Sequence, residues 1–264
     1  MNYNERQLLV QDLSDYLNIS TEFVEAQITS VCSAYTNFDL KGIATQWIWM
    51  FGRAEGSSEQ YNMFYATNFY YLFDLIGFAG CLDLNHANAQ QFMHGKCLDY
   101  GCGIGTVGLA MINLPEVTEV YATDIGITLL DFLQWRIRKH EIGKIQVLDP
   151  MSSGRRNPHL GIGIDYDFIY ARDVFEHAQN RVEIMYSLIA ALKPGGVLCE
   201  SSPIWNWLDP NNPYSHLEMT GCDISLKPYD IWDILRDAGF ELVSEAPSPT
   251  FPGPLTTKCW RKPQ

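Results

Sequence analysis

The chain has 264 residues, of which 47% are hydrophobic, and it carries a formal net charge of -13. This length accommodates one large α/β domain with a helical extension. The acidic balance argues against a groove for nucleic-acid phosphates and against docking on anionic membranes. No stretch approaches the roughly 18 apolar residues of a membrane span. We therefore expect neither a nucleic-acid nor a membrane partner.

The cysteines indicate the redox compartment. There are seven of them, scattered along the chain, and none forms a C-x-x-C pair. This pattern is typical of free thiols in a reducing environment. Residues 1–10 also lack the apolar core of a signal peptide. We expect a cytoplasmic protein, and the sequence does not indicate its oligomeric state.

The first 90 residues are predicted to be helical. Apolar residues recur at helical spacing between Leu9 and Val31, and Ser20 stands where a helix N-cap is expected. Residues 13–28 superficially resemble a DNA-reading helix-turn-helix. No Lys or Arg occurs between Arg6 and Lys41, however, so a plain helical hairpin is favoured.

From Gly95 onward, predicted strands alternate with predicted helices. The alternation predicts a parallel sheet with helices on both faces. The last connection is rich in proline and has no helix, so the final strand should be antiparallel. The predicted fold is an α/β, doubly wound, mostly parallel seven-stranded sheet with a helical N-terminal extension. The strands are expected near residues 97–99, 119–124, 145–149, 166–173, 197–201, 241–246 and 255–262.

The most informative segment is CLDYGCGIGTVG, residues 97–108. An apolar strand ends in Asp99, and a glycine-rich turn leads into a predicted helix. Glycine lets the backbone approach a ligand closely, and the helix N-terminus offers free N–H groups to an anion. The glycines alone also fit a dinucleotide-binding fingerprint or a structural turn. Asp99 favours a ligand with an ammonium group, such as the amino-acid end of S-adenosylmethionine, because a pyrophosphate gains nothing from a carboxylate.

This segment resembles the first motif of the class I S-adenosylmethionine-dependent methyltransferases, acid-x-Gly-x-Gly-x-Gly. The positions that match are Asp99, Gly101, Gly103 and Gly105. Two further segments resemble the small-molecule members of that family. Residues 173–177, DVFEH, are similar to the family's Asp-Val-Leu-Glu-His run, with Phe175 in place of leucine. Residues 192–196, LKPGG, match the turn before the fifth strand, so the resemblance covers Gly95 to about Val243.

The ends of the predicted strands supply the expected cofactor site, because ligands of such sheets bind beyond the carboxyl ends of the strands. Asp124 is placed to accept hydrogen bonds from ribose hydroxyls, with a solvated turn acid as the alternative. The resemblance implies that Asp149 lies near the adenine amine, although Pro150 and the loop after it depart from the usual connection. The residues expected at the cofactor are Asp99, Gly101, Cys102, Gly103, Gly105, Asp124, Ile125, Asp149, Arg172 and Asp173.

The resemblance also implies where the methyl acceptor binds. Helices before the first strand often close over the site in the family, and Ser57–Ile76 lies at that place in the chain. Core packing is the alternative for its aromatic side chains. Ser202–Thr220 follows the fifth strand and contains no Lys or Arg, which favours a neutral or cationic acceptor. The expected substrate-binding residues are Tyr65, Trp205 and Tyr214.

Methyl transfer from a sulfonium needs alignment of the two reactants and exclusion of water. A base is required only if the nucleophile must lose a proton. His177 and His216 are the candidates, with structural hydrogen bonding as the alternative for each. Asp209, His216 and Glu218 match no compact ligand motif, so we expect no metal.

The sequence thus predicts an enzyme that transfers a methyl group from S-adenosylmethionine to a small-molecule metabolite. Whether the acceptor atom is oxygen, nitrogen or carbon stays open. One alternative is a nicotinamide-dependent oxidoreductase, although the chain lacks a Tyr-x-x-x-Lys pair. Another is a methyltransferase-like protein that binds the cofactor without catalysis. We expect a helical extension or lid over residues 1–90 and a cofactor-binding domain over residues 91–264.

Overall fold

The computed structural model describes residues 3–36, 69–78, 86–148, 161–175, 178, 180–201, 229–247 and 256–264. Its N-terminal part contains the helices α1 (Tyr3–Leu17), α2 (Thr21–Thr36) and α3 (Tyr70–Phe78). The Ser20 hydroxyl accepts a hydrogen bond from the Phe23 amide at 3.2 Å, as expected of an N-cap. The helical hairpin predicted from the sequence is therefore present.

A seven-stranded sheet forms the rest of the fold. Its strands are β1 (Gly95–Tyr100), β2 (Val117–Thr123), β3 (Ile145–Val147), β4 (Tyr166–Arg172), β5 (Leu192–Ser201), β6 (Glu241–Pro247) and β7 (Thr256–Arg261). They lie in the order β3-β2-β1-β4-β5-β7-β6. All neighbours are parallel except that β7 runs antiparallel to both β5 and β6. The predicted fold class, including the antiparallel final strand, is confirmed.

Helices cover both faces of the sheet. They are α4 (Thr106–Met111), α5 (Ile127–Lys139), α6 (Arg181–Ala191) and α7 (Tyr229–Asp237), and a 3-10 segment, His86–Phe92, precedes β1. Buried side chains of α4 and α5 pack on one face, and those of α6 and α7 pack on the other. Strands covered on both faces are apolar at successive positions, as Cys97 and Leu98 of β1 illustrate, because each face has its own core.

A third core joins the N-terminal helices to the sheet domain. Side chains of α1, α2 and α3 pack against α5 and against Ile104. Ile104 is only 2% exposed, although it lies in the glycine turn after β1. The N-terminal helices thus contact the turn itself. The predicted boundary between residues 1–90 and 91–264 is therefore crossed by a shared core. Among the helices that the structure describes, none is long and apolar enough to cross a membrane.

The start of β5 differs from the prediction. Lys193–Gly196 suggests a turn before the strand, yet the strand begins at Leu192. The register of its pairing with β4 shifts between Tyr166 and Phe168. The residues Pro194–Gly196 therefore form a bulge-like irregularity inside the strand instead of a turn before it. Gly195 has a φ of 77° and donates its amide to the Lys262 carbonyl, which keeps this segment bound to the sheet.

Candidate functional site

The turn between β1 and α4 has the backbone conformation that its glycines predict. Gly101, Gly103 and Gly105 have φ values of 73°, 53° and 75°, which side-chain-bearing residues rarely adopt. A Cβ at Gly105 would lie 2.4 Å from Leu133 Cδ1, whereas one at Gly103 would meet, among the described residues, the Leu75 side chain alone, at 3.1 Å. Gly105 therefore packs tightly on α5, and Gly103 lies on the more open side of the turn.

Asp124 links the end of β2 to this turn. Its Oδ2 accepts a hydrogen bond from the Gly103 amide at 2.8 Å, and its Oδ1 accepts one from the Gly126 amide at 2.7 Å. The carboxyl is almost fully buried, at 6% exposure. Burial raises the pKa of Asp124, and the hydrogen bonds from backbone amides oppose that rise. The sequence-predicted acid and the glycine turn are thus in direct contact.

Asp99 has a partner that the sequence does not predict. Its Oδ2 accepts a hydrogen bond from the Gly108 amide in the first turn of α4, at 2.8 Å. Burial raises the pKa of Asp99 to about 7, the charge of Asp124 acts in the same direction, and the Gly108 hydrogen bond acts against it. One carboxyl oxygen of Asp99 therefore links the end of β1 to the first turn of α4. Contact of Asp99 with an ammonium group stays a prediction.

Two buried hydroxyls at the same edge of the sheet have no hydrogen-bond partner. Among the described residues these unpaired hydroxyls are Tyr100 Oη and Thr123 Oγ1, whose residues are register partners at the ends of β1 and β2. The Thr123 carbonyl, by contrast, accepts from the amides of Gly101 and Cys102 at 2.9 and 3.0 Å. Buried polar atoms are nearly always paired in native proteins, so unpaired ones beside a glycine turn point to a polar ligand or to water. Neither hydroxyl is predicted from the sequence, because their juxtaposition depends on the order of the strands.

The end of β4 contributes Arg172 and Asp173. Arg172 Nε lies 3.3 Å from Asp173 Oδ2, and Asp173 has a φ of 52°, which is unusual for a residue other than glycine. The Asp173 amide donates to the Ser201 carbonyl at 2.5 Å, which ties this turn to the end of β5. Unusual backbone conformations of this kind are concentrated at functional sites. One edge of the sheet is thus formed by the ends of β1, β2, β4 and β5. It carries carboxylates, hydroxyls and the turns that follow these strands.

Some predicted site residues lie outside the described residues. These are Tyr65, Asp149, His177, Trp205, Tyr214 and His216. Cys102 and Ile125 are described: Cys102 is buried within the glycine turn, and Ile125 directly follows Asp124. Within the described ranges, no group of three or more His, Cys, Asp or Glu side chains is arranged to hold a metal ion.

Comparison with known families identifies the class of protein. The model of a family described as "Methyltransferase domain" matches residues 68–245, which is more than half of the chain. The chain therefore belongs to this methyltransferase family. The resemblance to class I S-adenosylmethionine-dependent methyltransferases is confirmed at the level of the family, and so are the transferase class and the cofactor S-adenosylmethionine. The family favours methyl transfer over the nicotinamide-dependent alternative. Its match begins at residue 68, inside the predicted helical extension.

The curated relatives are methyltransferases of small molecules. Phosphoethanolamine N-methyltransferase 3 of Arabidopsis thaliana is 29% identical over 56% of this chain and 29% of its own length. Phosphoethanolamine N-methyltransferase 1 of Triticum aestivum is 27% identical over 57% of this chain and 29% of its own length. The chain thus spans less than a third of either relative.

Among solved structures, an S-adenosylmethionine-dependent methyltransferase from Aquifex aeolicus is also similar. It shares 16% identity at a TM-score of 0.47, over 66% of this chain and 86% of that one.

Proposed function

We propose that this protein transfers the methyl group of S-adenosylmethionine to a small-molecule metabolite. The observation that carries the proposal is the Asp124–Gly103 contact at 2.8 Å, in a chain of the methyltransferase family. It joins the acid after β2 to the open side of the glycine turn, at the carboxyl edge where ligands of doubly wound sheets bind.

The residues at this edge fit the parts of the cofactor. A carboxylate has about four lone-pair sites. Asp124 accepts hydrogen bonds from the amides of Gly103, Gly126 and Ile125 and retains acceptor capacity for a ribose hydroxyl. Asp99 retains one oxygen for the ammonium of the methionine end, and the open side of Gly103 accommodates the cofactor backbone. The unpaired hydroxyls of Tyr100 and Thr123 supply further polar contacts. Cys102, Ile125, Arg172 and Asp173 complete the proposed cofactor set in the described residues, and Asp149 is proposed for the adenine amine.

The protein's part in the reaction is alignment. S-adenosylmethionine supplies a methyl group that is already activated on a sulfonium. The chain holds this group in line with the acceptor and excludes water from it. His177 and His216 are proposed as bases for an acceptor that must lose a proton, and Tyr65, Trp205 and Tyr214 are proposed to contact the acceptor.

An amine is the acceptor class that we favour. The names of the curated relatives specify N-methylation. The Ser202–Thr220 segment also contains three aromatic residues and no Lys or Arg, which suits a neutral or cationic partner. We further propose a cytoplasmic location and no nucleic-acid partner. The described cysteines 97, 102, 199 and 259 are free, and the chain is strongly acidic.

The test combines binding with turnover. Titration calorimetry should detect S-adenosylmethionine and S-adenosylhomocysteine but not NAD. A panel of small amines, alcohols and carbon acids should then yield a methylated product for at least one amine. Binding without turnover on any member of the panel would favour a non-catalytic methyltransferase-like protein, and binding of NAD alone would contradict the proposal.

A further inference from the structure

A buried ionic cluster connects the N-terminal helix to the far end of α5. Asp12 of α1 has no exposed side-chain surface and accepts hydrogen bonds from three basic residues. Arg136 Nε lies 3.0 Å from its Oδ2, and Lys139 Nζ lies 2.8 Å from its Oδ1. His140 Nε2 lies 2.9 Å from Oδ1 and 3.0 Å from Oδ2. Residues 124 or more positions apart in sequence are thus held together, with Asp12 and Arg136 buried and Lys139 and His140 each 29% exposed.

The same arginine also contacts the glycine turn. Arg136 Nη1 donates to the carbonyl of Ile104 at 3.3 Å, and Arg136 is only 7% exposed. Ile104 lies between Gly103 and Gly105, and its side chain packs in the core formed with α1, α2 and α3. The central residue of the turn is therefore fixed twice, through its carbonyl by Arg136 and through its side chain by the N-terminal helices.

The geometry indicates that the cluster orients the Arg136 guanidinium in addition to stabilising the fold. Burial of charged groups is costly, and apolar side chains of similar volume often stabilise a fold at least as well. A guanidinium is planar, however, so a carboxylate that holds Nε also sets the direction in which Nη1 points. Asp12 thereby determines the orientation of the group that binds the Ile104 carbonyl.

We propose that Asp12 is a positioning residue of the cofactor site. It acts through Arg136 to hold the Gly103–Gly105 backbone in the conformation that receives the cofactor. This inference rests on the proposed function, and it makes α1 part of the site through Arg136. Because coupling between sites is reciprocal, bound cofactor should in turn protect α1 against local opening.

The test compares two charge-neutralising variants of the same helix. Asp12→Asn keeps the size of the side chain but weakens its hold on Arg136. Asp15→Asn is the control, because Asp15 also binds Lys139, at 2.7 Å, but lies 43% exposed and does not contact Arg136. Arg136→Lys is the second variant, since it keeps a cation beside Asp12 and removes the fork that reaches Ile104.

Two readouts separate positioning from stability. Without ligand, hydrogen exchange of the Gly103 and Gly105 amides should be faster in Asp12→Asn and Arg136→Lys than in Asp15→Asn. With ligand, the Kd for S-adenosylhomocysteine should rise about tenfold in the first two variants, within the range common for coupled sites. Unchanged turn exchange in both variants, or an equal increase in Asp15→Asn, would overturn the proposal. If the ligand binds no protein but the turn amides still exchange faster, the positioning role stands and the proposed cofactor is wrong.

Discussion

The Gly103 amide donates a hydrogen bond of 2.8 Å to the Asp124 carboxylate, although the two residues are 21 positions apart in the chain. The contact connects the acid after β2 to the turn after β1. A ligand that binds Asp124 therefore also depends on the conformation of Gly103.

Asp124→Ala should weaken binding of S-adenosylmethionine by a factor of ten or more. Each charge-assisted hydrogen bond lost to the ribose is worth roughly 1.5–3 kcal/mol. The variant also leaves the amides of Gly103 and Gly126 without their partner, so its melting temperature should fall. Calorimetric titration of the folded variant measures the first effect. A cofactor analogue without the 2′-hydroxyl should bind the wild-type protein more weakly than S-adenosylmethionine does. The ratio of Kd values between variant and wild type should also be smaller for the analogue. Equal affinity of the wild-type protein for the two cofactors would argue against the ribose contact.

Gly103→Ala should abolish cofactor binding while the fold is retained. Gly163→Ala is the matched control, since Gly163 also has a positive φ, of 84°, but lies exposed before β4. Both substitutions place a Cβ in left-handed backbone, at a cost of roughly 1–2 kcal/mol each. Only the Cβ at Gly103 would lie in the turn that we propose holds the cofactor. If both variants lose similar thermal stability and only Gly103→Ala loses cofactor binding, the result supports the site. If Gly103→Ala retains its affinity for the cofactor, the cofactor binds elsewhere.

S-adenosylmethionine should raise the melting temperature of the wild-type protein, and NAD should not. A ligand that binds only the folded state at a hundredfold excess over its Kd adds about 2.7 kcal/mol to the free energy of unfolding. Differential scanning fluorimetry at several cofactor concentrations measures the shift. A shift produced by NAD but not by S-adenosylmethionine would refute the assignment.

Asp99→Asn should stabilise the protein above pH 7. The folded-state pKa of Asp99 is raised to about 7 from an ordinary 3.8, chiefly by burial. The folded state therefore binds more protons than the unfolded state between these values, and this contribution to stability is lost as the pH rises through 7. An asparagine has no charge to bury and still presents an acceptor to the Gly108 amide.

The gain from Asp99→Asn should be a few kcal/mol at pH 8 and should shrink as the pH falls towards 4. Chemical denaturation across this range measures it. Asp131→Asn, which removes an exposed carboxylate of α5, serves as the control for net charge. A destabilised Asp99→Asn protein at pH 8 would indicate that the ionised carboxylate is required by the fold.

The sequence predicts the sheet and part of the site because both depend on local signals. Apolar runs that end in glycine or acid mark the strand ends, and φ values above zero at Gly101, Gly103 and Gly105 agree with the spacing of the motif. Asp124 is found because an acid follows the second strand at a suitable distance. These features need no knowledge of which strands are neighbours.

Other features depend on packing between distant parts of the chain. Tyr100 and Thr123, whose buried hydroxyls are unpaired among the described residues, are neighbours only because β1 and β2 pair in one register. The contact of Asp12 with Arg136 joins helices that no local pattern relates. The position of Asp99 at the end of β1 predicts contact with a ligand, whereas its hydrogen bond to Gly108 depends on how α4 packs against β1.

The position of β7 between β5 and β6 has a consequence for synthesis of the protein. This strand comes after both of its neighbours in the chain, so β5 and β6 cannot join the same sheet while β7 is still inside the ribosome. Until then the nascent chain presents the free edge of β5, which is apolar from Val197 to Cys199. Unpaired apolar edges promote aggregation, so the edge of β5 needs protection until β7 has left the ribosome and paired with it.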